Sequence, residues 1–231
     1  MFERLDLWFD RGDRDAAGQM AVDEVLLQMQ RDVPLLRVYQ WSGPAITLGY
    51  FESVAEARQK LDAYDVPVVR RFTGGGSVLH GDDFPYTLIV PKGEATDGFL
   101  RARTESYEVI HSALGAALAV VGVAGVGLAA SGGQQVGVPC FQSPVEADLV
   151  QESGDKVAGA GQRRTRDGLI HQGSVVVGAG VDRDALGRAL AAALARDVRV
   201  LGDDWLPDGF GESWAELRTQ RYDCDNWNLR R

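Results

Sequence analysis

Basic residues are in the minority: 24 Lys and Arg stand against 33 Asp and Glu among 231 residues, a formal net charge of −9. A chain this acidic offers no global field to a nucleic-acid backbone, so an anionic partner needs a local basic patch. Cysteine is scarce as well. Cys140 and Cys224 are the only two, too few for a disulfide framework, and no charged-then-apolar leader opens Met1-Phe2-Glu3-Arg4. A reducing cytoplasm is the expectation. The three histidines show no metal-ligand spacing with the cysteines, so no metal is expected. The stretch from Ser112 to Ala130 carries no charge over nineteen residues, close to bilayer-spanning length. Gly122, Gly125 and Gly127 interrupt it and no basic flank follows it, which argues against a membrane. Repeats and linkers are lacking too. Hydrophobic residues at 45% and charged residues at 25% fit one globular domain over residues 1–231.

What is present reads as strands mixed with helices. Leu5–Phe9 alternates like a strand, Asp15 stands where a helix N-cap would, and Met20–Gln30 places Val22, Val25, Leu26 and Met29 on one helical face. Leu35–Trp41 and Ile46–Tyr50 are β-rich runs around the turn residues Ser42-Gly43-Pro44 and read as a hairpin. Ser53 opens a short polar helix to about Leu61, and Pro67 precedes a strand, Val68–Phe72. Thr87–Val90 continues the sheet. Thr104 to about Val121 reads as a long helix, apolar almost all round in its latter half and therefore buried. Asp148–Gln151, Lys156–Ala160 and Leu169–Val177 are strand-like, with Arg164-Thr165-Arg166-Asp167-Gly168 as a hairpin tip. Asp182–Arg196 and Ser213–Arg221 read as helices. The pattern predicts an α+β fold on a mixed, largely antiparallel sheet flanked by helices.

Three segments carry chemistry. Arg70-Arg71-Phe72-Thr73-Gly74-Gly75-Gly76-Ser77-Val78-Leu79-His80 places three glycines after a strand, where bare backbone can approach a ligand; a plain tight turn is the alternative. Neither the phosphate loop G-x-x-x-x-G-K-[ST] nor a dinucleotide G-x-G-x-x-G is present, which argues against a nicotinamide or kinase-type nucleotide site. Cys140 lies between Pro139 and Pro144 on a loop, as a nucleophile or as a small buried hydrophobe. Cys224, flanked by Asp223 and Asp225, suits an inert role. Lys156 opens the small-residue run Val157-Ala158-Gly159-Ala160-Gly161 before Gln162. Beside Cys140 its ammonium would lower the thiol pKa and could hold an acyl carbonyl oxygen; on the surface it would do neither. His171-Gln172-Gly173-Ser174 could border the same pocket, although His171 alone, like His111, reads more simply as a core histidine.

Together these segments resemble the lipoate-attachment superfamily of lipoate-protein ligases, octanoyltransferases and, more distantly, biotin-protein ligases. Arg70–His80 is similar to its R-R-x-x-G-G-G-x-V-x-H loop. Asp148-Leu149-Val150 with Lys156–Gln162 is similar to its D-L-V … K-[IV]-[AS]-G-[SG]-A-Q segment, with Gly161 replacing an alanine. His171-Gln172-Gly173-Ser174 matches H-[HQ]-G-[ST]. Met20–Glu24, Trp41, Leu48–Phe51 and Arg221-Tyr222 … Trp227-Asn228 extend the likeness over nearly the whole chain. The resemblance implies a biotin/lipoate-protein ligase-like catalytic domain without a C-terminal accessory domain. It also implies an acyl site built from Arg70, Arg71, Thr73, Gly74, Gly75, Gly76, His80, Gly159, Gln162, His171 and Gly173, with Lys156 on the acyl carbonyl.

Cys140-Phe141-x-x-Pro144 is similar to the loop of the cysteine-dependent octanoyltransferases of Gram-positive type, although the interval to Lys156 is one residue longer. That branch implies Cys140 and Lys156 as catalytic residues, no cofactor, an acyl-carrier protein as donor, and lipoyl domains or a glycine-cleavage H-type protein as acceptor. Arg163, Arg164 and Arg166 are candidates for the carrier's docking patch, or else a solvated turn. The rivals are an ATP-dependent lipoate-protein ligase using ATP and Mg, a lipoyl-domain amidotransferase, and a catalytically silent lipoate-binding module.

Overall fold

A computed structural model describes residues 1–29, 31–61, 64–93, 96–101, 103–129 and 145–230. Its strands are β1 (Phe2–Phe9), β2 (Leu35–Val38), β3 (Ala45–Leu48), β4 (Val68–Arg70), β5 (Val78–His80), β6 (Phe84–Pro91), β7 (Val126–Leu128), β8 (Leu149–Gln151), β9 (Lys156–Arg164), β10 (Gly168–Val175) and β11 (Ala195–Leu201). Eight form a sheet in the order β11-β1-β2-β6-β10-β9-β8-β7, and three form a second sheet, β4-β3-β5. In the large sheet β1 runs parallel to β2 and β11, and every other pairing is antiparallel. The fold is the mixed, largely antiparallel α+β arrangement that the sequence implies.

Helix α1 (Ala16–Gln28) starts at the Asp15 cap, whose carboxylate accepts the Gly18 N–H at 2.9 Å. It begins four residues before the expected Met20, and it is buried on all sides rather than on one face, because it lies among the large sheet, the small sheet and the C-terminal helices. Its polar residues therefore need buried partners. Arg37, 0% exposed, donates to Asp10 at 2.7 Å and to Asp23 at 2.6 Å; Tyr222 donates its hydroxyl to Glu24 at 2.5 Å.

The expected hairpin of Leu35–Trp41 with Ile46–Tyr50 does not form. Strand β2 has both edges occupied, by β1 and β6, so β3 pairs instead with β4 and β5 in the small sheet. Helix α2 (Val54–Leu61) follows, with the Ala57 N–H bonded to the Ser53 carbonyl. After the short α3 (Asp97–Arg101), α4 (Arg103–Val120) covers one face of the large sheet. It is only half-buried: Leu114, Ala117 and Leu118 face the core while Ala116, Ala119 and Val120 face outward. An exposed alanine costs little, so uniform apolarity did not demand burial all round.

Helix α5 (Arg183–Leu194), capped by Asp182, passes straight into β11, where the sequence implies helix to Arg196 and no strand beyond it; β7 is likewise not expected. The β9–β10 hairpin turns at residues 165–167 as expected. At the C-terminal end, α6 (Phe210–Leu217) runs into a π-helical turn, Arg218–Tyr222, and then α7 (Asp225–Asn228), where one helix was expected. Among the described residues no helix is long and apolar enough to cross a membrane.

Candidate functional site

Among the described residues the two sheets share no strand pairing, and a cavity of about 50 Å³ lies between them. Thr47, Val78 and His80 come from the small sheet, Lys156, Gly159, Ala160, Gly161, Gln172, Gly173 and Ser174 from β9 and β10, Met20 from α1, Tyr39 and Trp41 from the link, and Arg71, Gly75 and Gly76 from the glycine loop. Of the residues expected in the acyl site, Arg71, Gly75, Gly76, His80, Lys156, Gly159 and Gly173 are thus brought around one space.

The glycine loop leaves β4 at Arg70 and reaches β5 at Val78. Arg71 fixes it from beneath, donating to the carbonyls of Gly74 (2.9 Å), Gly76 (3.0 Å) and Thr47 (3.0 Å). Gly75 has φ +97°, a left-handed backbone that glycine takes without strain. The loop is also pressed between two further glycines. A Cβ on Gly49 would stand 1.6 Å from the Gly75 oxygen, and one on Gly161 would stand 2.4 Å from the Gly74 oxygen. The departure at Gly161 from the family's alanine therefore has a local physical counterpart, the close seating of the loop on β9. Thr73 donates to Gln172 (2.7 Å), which donates to Asp23 (2.7 Å), tying the loop to the buried Arg37 cluster.

Lys156 projects into the cavity with its Nζ 2.7 Å from Asp148, both side chains 5% exposed. Gly159 makes this possible, since a Cβ there would lie 2.5 Å from the Lys156 Nζ. Asp148 closes a tight turn: its N–H bonds to the Val145 carbonyl at 3.0 Å and its carboxylate accepts the Val145 N–H at 2.8 Å. Ala147 in that turn has φ +67°, the one non-glycine residue with positive φ among those described, a conformation costing on the order of 1–3 kcal/mol. The ring of His111 donates from Nδ1 to the Ala147 carbonyl. Burial holds His111 below the ordinary imidazole pKa, and the nearby Lys156 charge works in the same direction.

On the opposite wall Asp83 gathers His80 Nδ1 (2.8 Å) and the Ser174 hydroxyl (2.6 Å), while His80 Nε2 meets the Thr47 hydroxyl at 2.8 Å and Trp41 packs on the imidazole. Burial alone would raise the Asp83 carboxyl, but the hydrogen bond and charge of His80, with Ser174 and the Gly81 N–H, hold it below the usual carboxylate range. Asp83 is not among the expected site residues, and Ser174 is expected only as the last residue of a motif bordering the pocket. The available signal was weak: Asp83 stands three after His80, and Ser174 closes the His171-Gln172-Gly173-Ser174 motif. Asp148 enters the sequence reading as the start of a strand-like run and of the D-L-V match, not as a partner of Lys156.

Other expected residues lie elsewhere. Arg70 is 0% exposed and donates to carbonyls of Gly49, Glu52, Trp227, Asn228 and Arg230. His171 is also fully buried: its Nδ1 accepts from Gln162 (2.9 Å) and its Nε2 donates to the Tyr86 hydroxyl (3.0 Å). That pairing suits a neutral ring, and burial, reinforced by His111 and Arg164, pushes its pKa well below the ordinary value. Gly74 and Gln162 line a second, open groove of about 540 Å³ with Tyr50, Phe51, Phe72, Arg163 and Arg164. Of the three candidate docking arginines, Arg163 stacks on Tyr50 and Phe72, Arg164 donates to Ser106 and Gln162, and Arg166 alone extends into solvent, 93% exposed. Cys140 and its loop lie outside the described residues. Cys224 donates its thiol to the Thr219 carbonyl. Among the described residues no cluster of His, Cys, Asp and Glu could hold a metal ion.

Residues 15–200 match the lipoyl protein ligase A/B catalytic domain. Octanoyltransferase LipM of Symbiobacterium thermophilum is 30% identical over 276 aligned positions, covering 96% of this chain and 97% of that protein. Octanoyltransferase LipM of Halalkalibacterium halodurans is 31% identical over 205, covering 79% of this chain and 69% of that protein. Among solved structures, a putative lipoate protein ligase from T. acidophilum with bound lipoic acid superposes with TM-score 0.75 at 19% identity, covering 100% of both chains. A lipoate-protein ligase A bound with ATP gives 0.75 at 18% identity over 99% of both. These structural likenesses establish the fold.

Proposed function

We propose, from the premise that this chain belongs to the lipoyl protein ligase A/B catalytic-domain family, that it is an acyltransferase moving an octanoyl group onto a lysine of a lipoyl domain. The relatives at about 30% identity over most of the chain are octanoyltransferases, which favours transfer over ATP-driven ligation. The observation carrying the site reading is the Lys156 ammonium, buried against Asp148 at the end of a cavity walled by the glycine loop.

In this reading Cys140 attacks the thioester of an octanoyl-carrier protein. The carbonyl oxygen gains negative charge against the Lys156 ammonium, and the carrier thiol leaves with a proton. The ε-amine of the lipoyl-domain lysine then attacks the Cys140 thioester, forms the amide and restores the thiol. Thioester exchange needs no ATP. Burial of the octanoyl tail, about seven carbons at ~0.8 kcal/mol each, contributes roughly 5–6 kcal/mol. The present cavity of about 50 Å³ holds only a few waters, so its walls separate to admit that tail. A lipoyl domain as acceptor is supported by a structural neighbour described as an archaeal bi-partite lipoate protein ligase with its E2 lipoyl domain.

Incubation with octanoyl-carrier protein and intact-mass measurement tests the reading. The expected result is a hydroxylamine-labile octanoyl mass gain in the wild type and none in Cys140→Ala, followed by transfer to a lipoyl domain. Pyrophosphate release from ATP plus octanoate, without carrier, would overturn it in favour of a ligase. Transfer only from an octanoylated lipoyl domain would assign an amidotransferase.

A further inference from the structure

We propose that His111 is a positioning residue for the Lys156–Asp148 pair, acting through the backbone of Ala147. The proposal rests on the reading that Lys156 holds the acyl carbonyl, and it names a residue outside the cavity on which that geometry depends.

The residue before Asp148 is held where its side chain disfavours it. Ala147 has φ +67° at the third position of the Val145–Asp148 turn, a place that glycine commonly fills. A strained turn persists only where its surroundings over-determine it. Two contacts do so. The Ala147 N–H meets the Ala129 carbonyl at 3.4 Å, a long hydrogen bond, and the Ala147 carbonyl accepts from His111 Nδ1. The second is the firmer hold. His111 is 0% exposed on the long helix α4, and its ring packs against those of His171 and Tyr107.

The next peptide carries the carboxylate that meets Lys156 at 2.7 Å. Without the imidazole N–H, the Ala147 carbonyl loses its side-chain anchor; the strained peptide, held then by the Asp148 N–H bond to Val145 at 3.0 Å, relaxes towards an unstrained turn and shifts Asp148. Lys156 then loses this ion-pair contact, which helps to fix its ammonium in the cavity. Asp148 touches the site and His111 does not, so the effect belongs to turnover rather than to donor affinity.

The test compares two variants of similar size at one position, in two backgrounds. His111→Leu lacks the donor, whereas His111→Asn places an amide N–H near the position of Nδ1. Octanoyl transfer is measured in the wild type and Lys156→Ala first; a Lys156→Ala variant as fast as wild type sinks the underlying reading and leaves the turn to be judged by structure alone. With that reading intact, His111→Leu is expected to lower kcat about 10- to 100-fold with donor KM within about twofold, and His111→Asn to stay within about threefold of wild type. Ala147→Gly removes the strain, so His111→Leu in that background is expected to recover to within about threefold of Ala147→Gly alone. Equal kcat for the Leu and Asn variants, or an equal loss in both backgrounds, overturns the proposal. So does a urea midpoint that falls in parallel with kcat and is not recovered by Asn. Where His111→Leu does not fold, His111→Gln, whose amide reaches past Ala147, replaces it with the same expectations.

Discussion

The ammonium of Lys156 and the carboxylate of Asp148 stand 2.7 Å apart with both side chains 5% exposed. Charges this dry depend on each other. Lys156→Ala leaves the carboxylate without its partner and is expected to lower unfolding free energy by about 3–5 kcal/mol while abolishing transfer. Lys156→Met combined with Asp148→Asn removes both charges and keeps their shapes. Urea denaturation should show most of the stability restored in the double variant, and the transfer assay should show no activity. Recovered activity in that protein would remove the ammonium from the mechanism.

Glycine positions around the loop are not equivalent. A Cβ on Gly161 meets the Gly74 carbonyl at 2.4 Å, whereas one on Gly74 meets nothing within 4 Å. Gly161→Ala is expected to lift the loop and cost about 1–3 kcal/mol, with reduced kcat/KM. Gly74→Ala is expected to change stability by no more than about 0.5 kcal/mol. Parallel melts and transfer assays of the two variants decide the point, and equal behaviour contradicts the packing argument.

Stability should fall as the solution is acidified below about pH 6.5. Burial depresses the folded-state pKa of His171 strongly and that of His111 less. Between about 6.5 and those lower values the unfolded chain binds more protons than the folded one, so acid favours unfolding by up to about 1.4 kcal/mol per pH unit for each histidine. Asp10 and Asp83 are also held low, against their burial, by Arg37 and Arg14 and by His80 and Ser174 respectively. Their contribution is lost only below about pH 3.9. Urea titrations between about pH 7.5 and 5 read the histidines, and His171→Gln should flatten the slope; an unchanged slope counts against the assignment.

Arg70 ties the C-terminal segment to the glycine-loop strand through the carbonyls of Trp227, Asn228 and Arg230. Its backbone N–H also bonds to Asn228 at 2.9 Å. Lysine has three donors without the planar fork and cannot serve these directions together. Arg70→Lys is expected to raise the rate of limited proteolysis after α7 begins, with cleavage mapped by mass spectrometry near residues 225–230. Resistance equal to wild type would show that the tether is held elsewhere.

The readable parts of the fold were those with local chemistry. Asp15 announces α1 and Arg164–Gly168 announces the β9–β10 turn, because caps and turns are specified by neighbours in sequence. Strand pairing is not local: β2 and β3 look alike as short apolar runs, and only the occupied edges of β2 show why they part company. The missed strand β11 follows α5 without a break and keeps charged residues outward, so no residue marks the change of period. In the site, motif residues in the glycine loop and Lys156 were legible from their resemblance to a family. Arg70 and His171 share those motifs yet face the core, since a motif does not say which side of a strand faces the ligand. Asp83 was hidden because its role arises from residues far apart, Ser174 being ninety-one positions away.

The cavity sits between two sheets that, among the described residues, exchange no strand hydrogen bonds. On the proposed reading, a fatty tail seated there touches both at once and so acts as mortar across the seam. It adds to the Thr73–Gln172 and His80–Asp83–Ser174 links across the seam, so heat should part the empty protein along that seam earlier than the filled one.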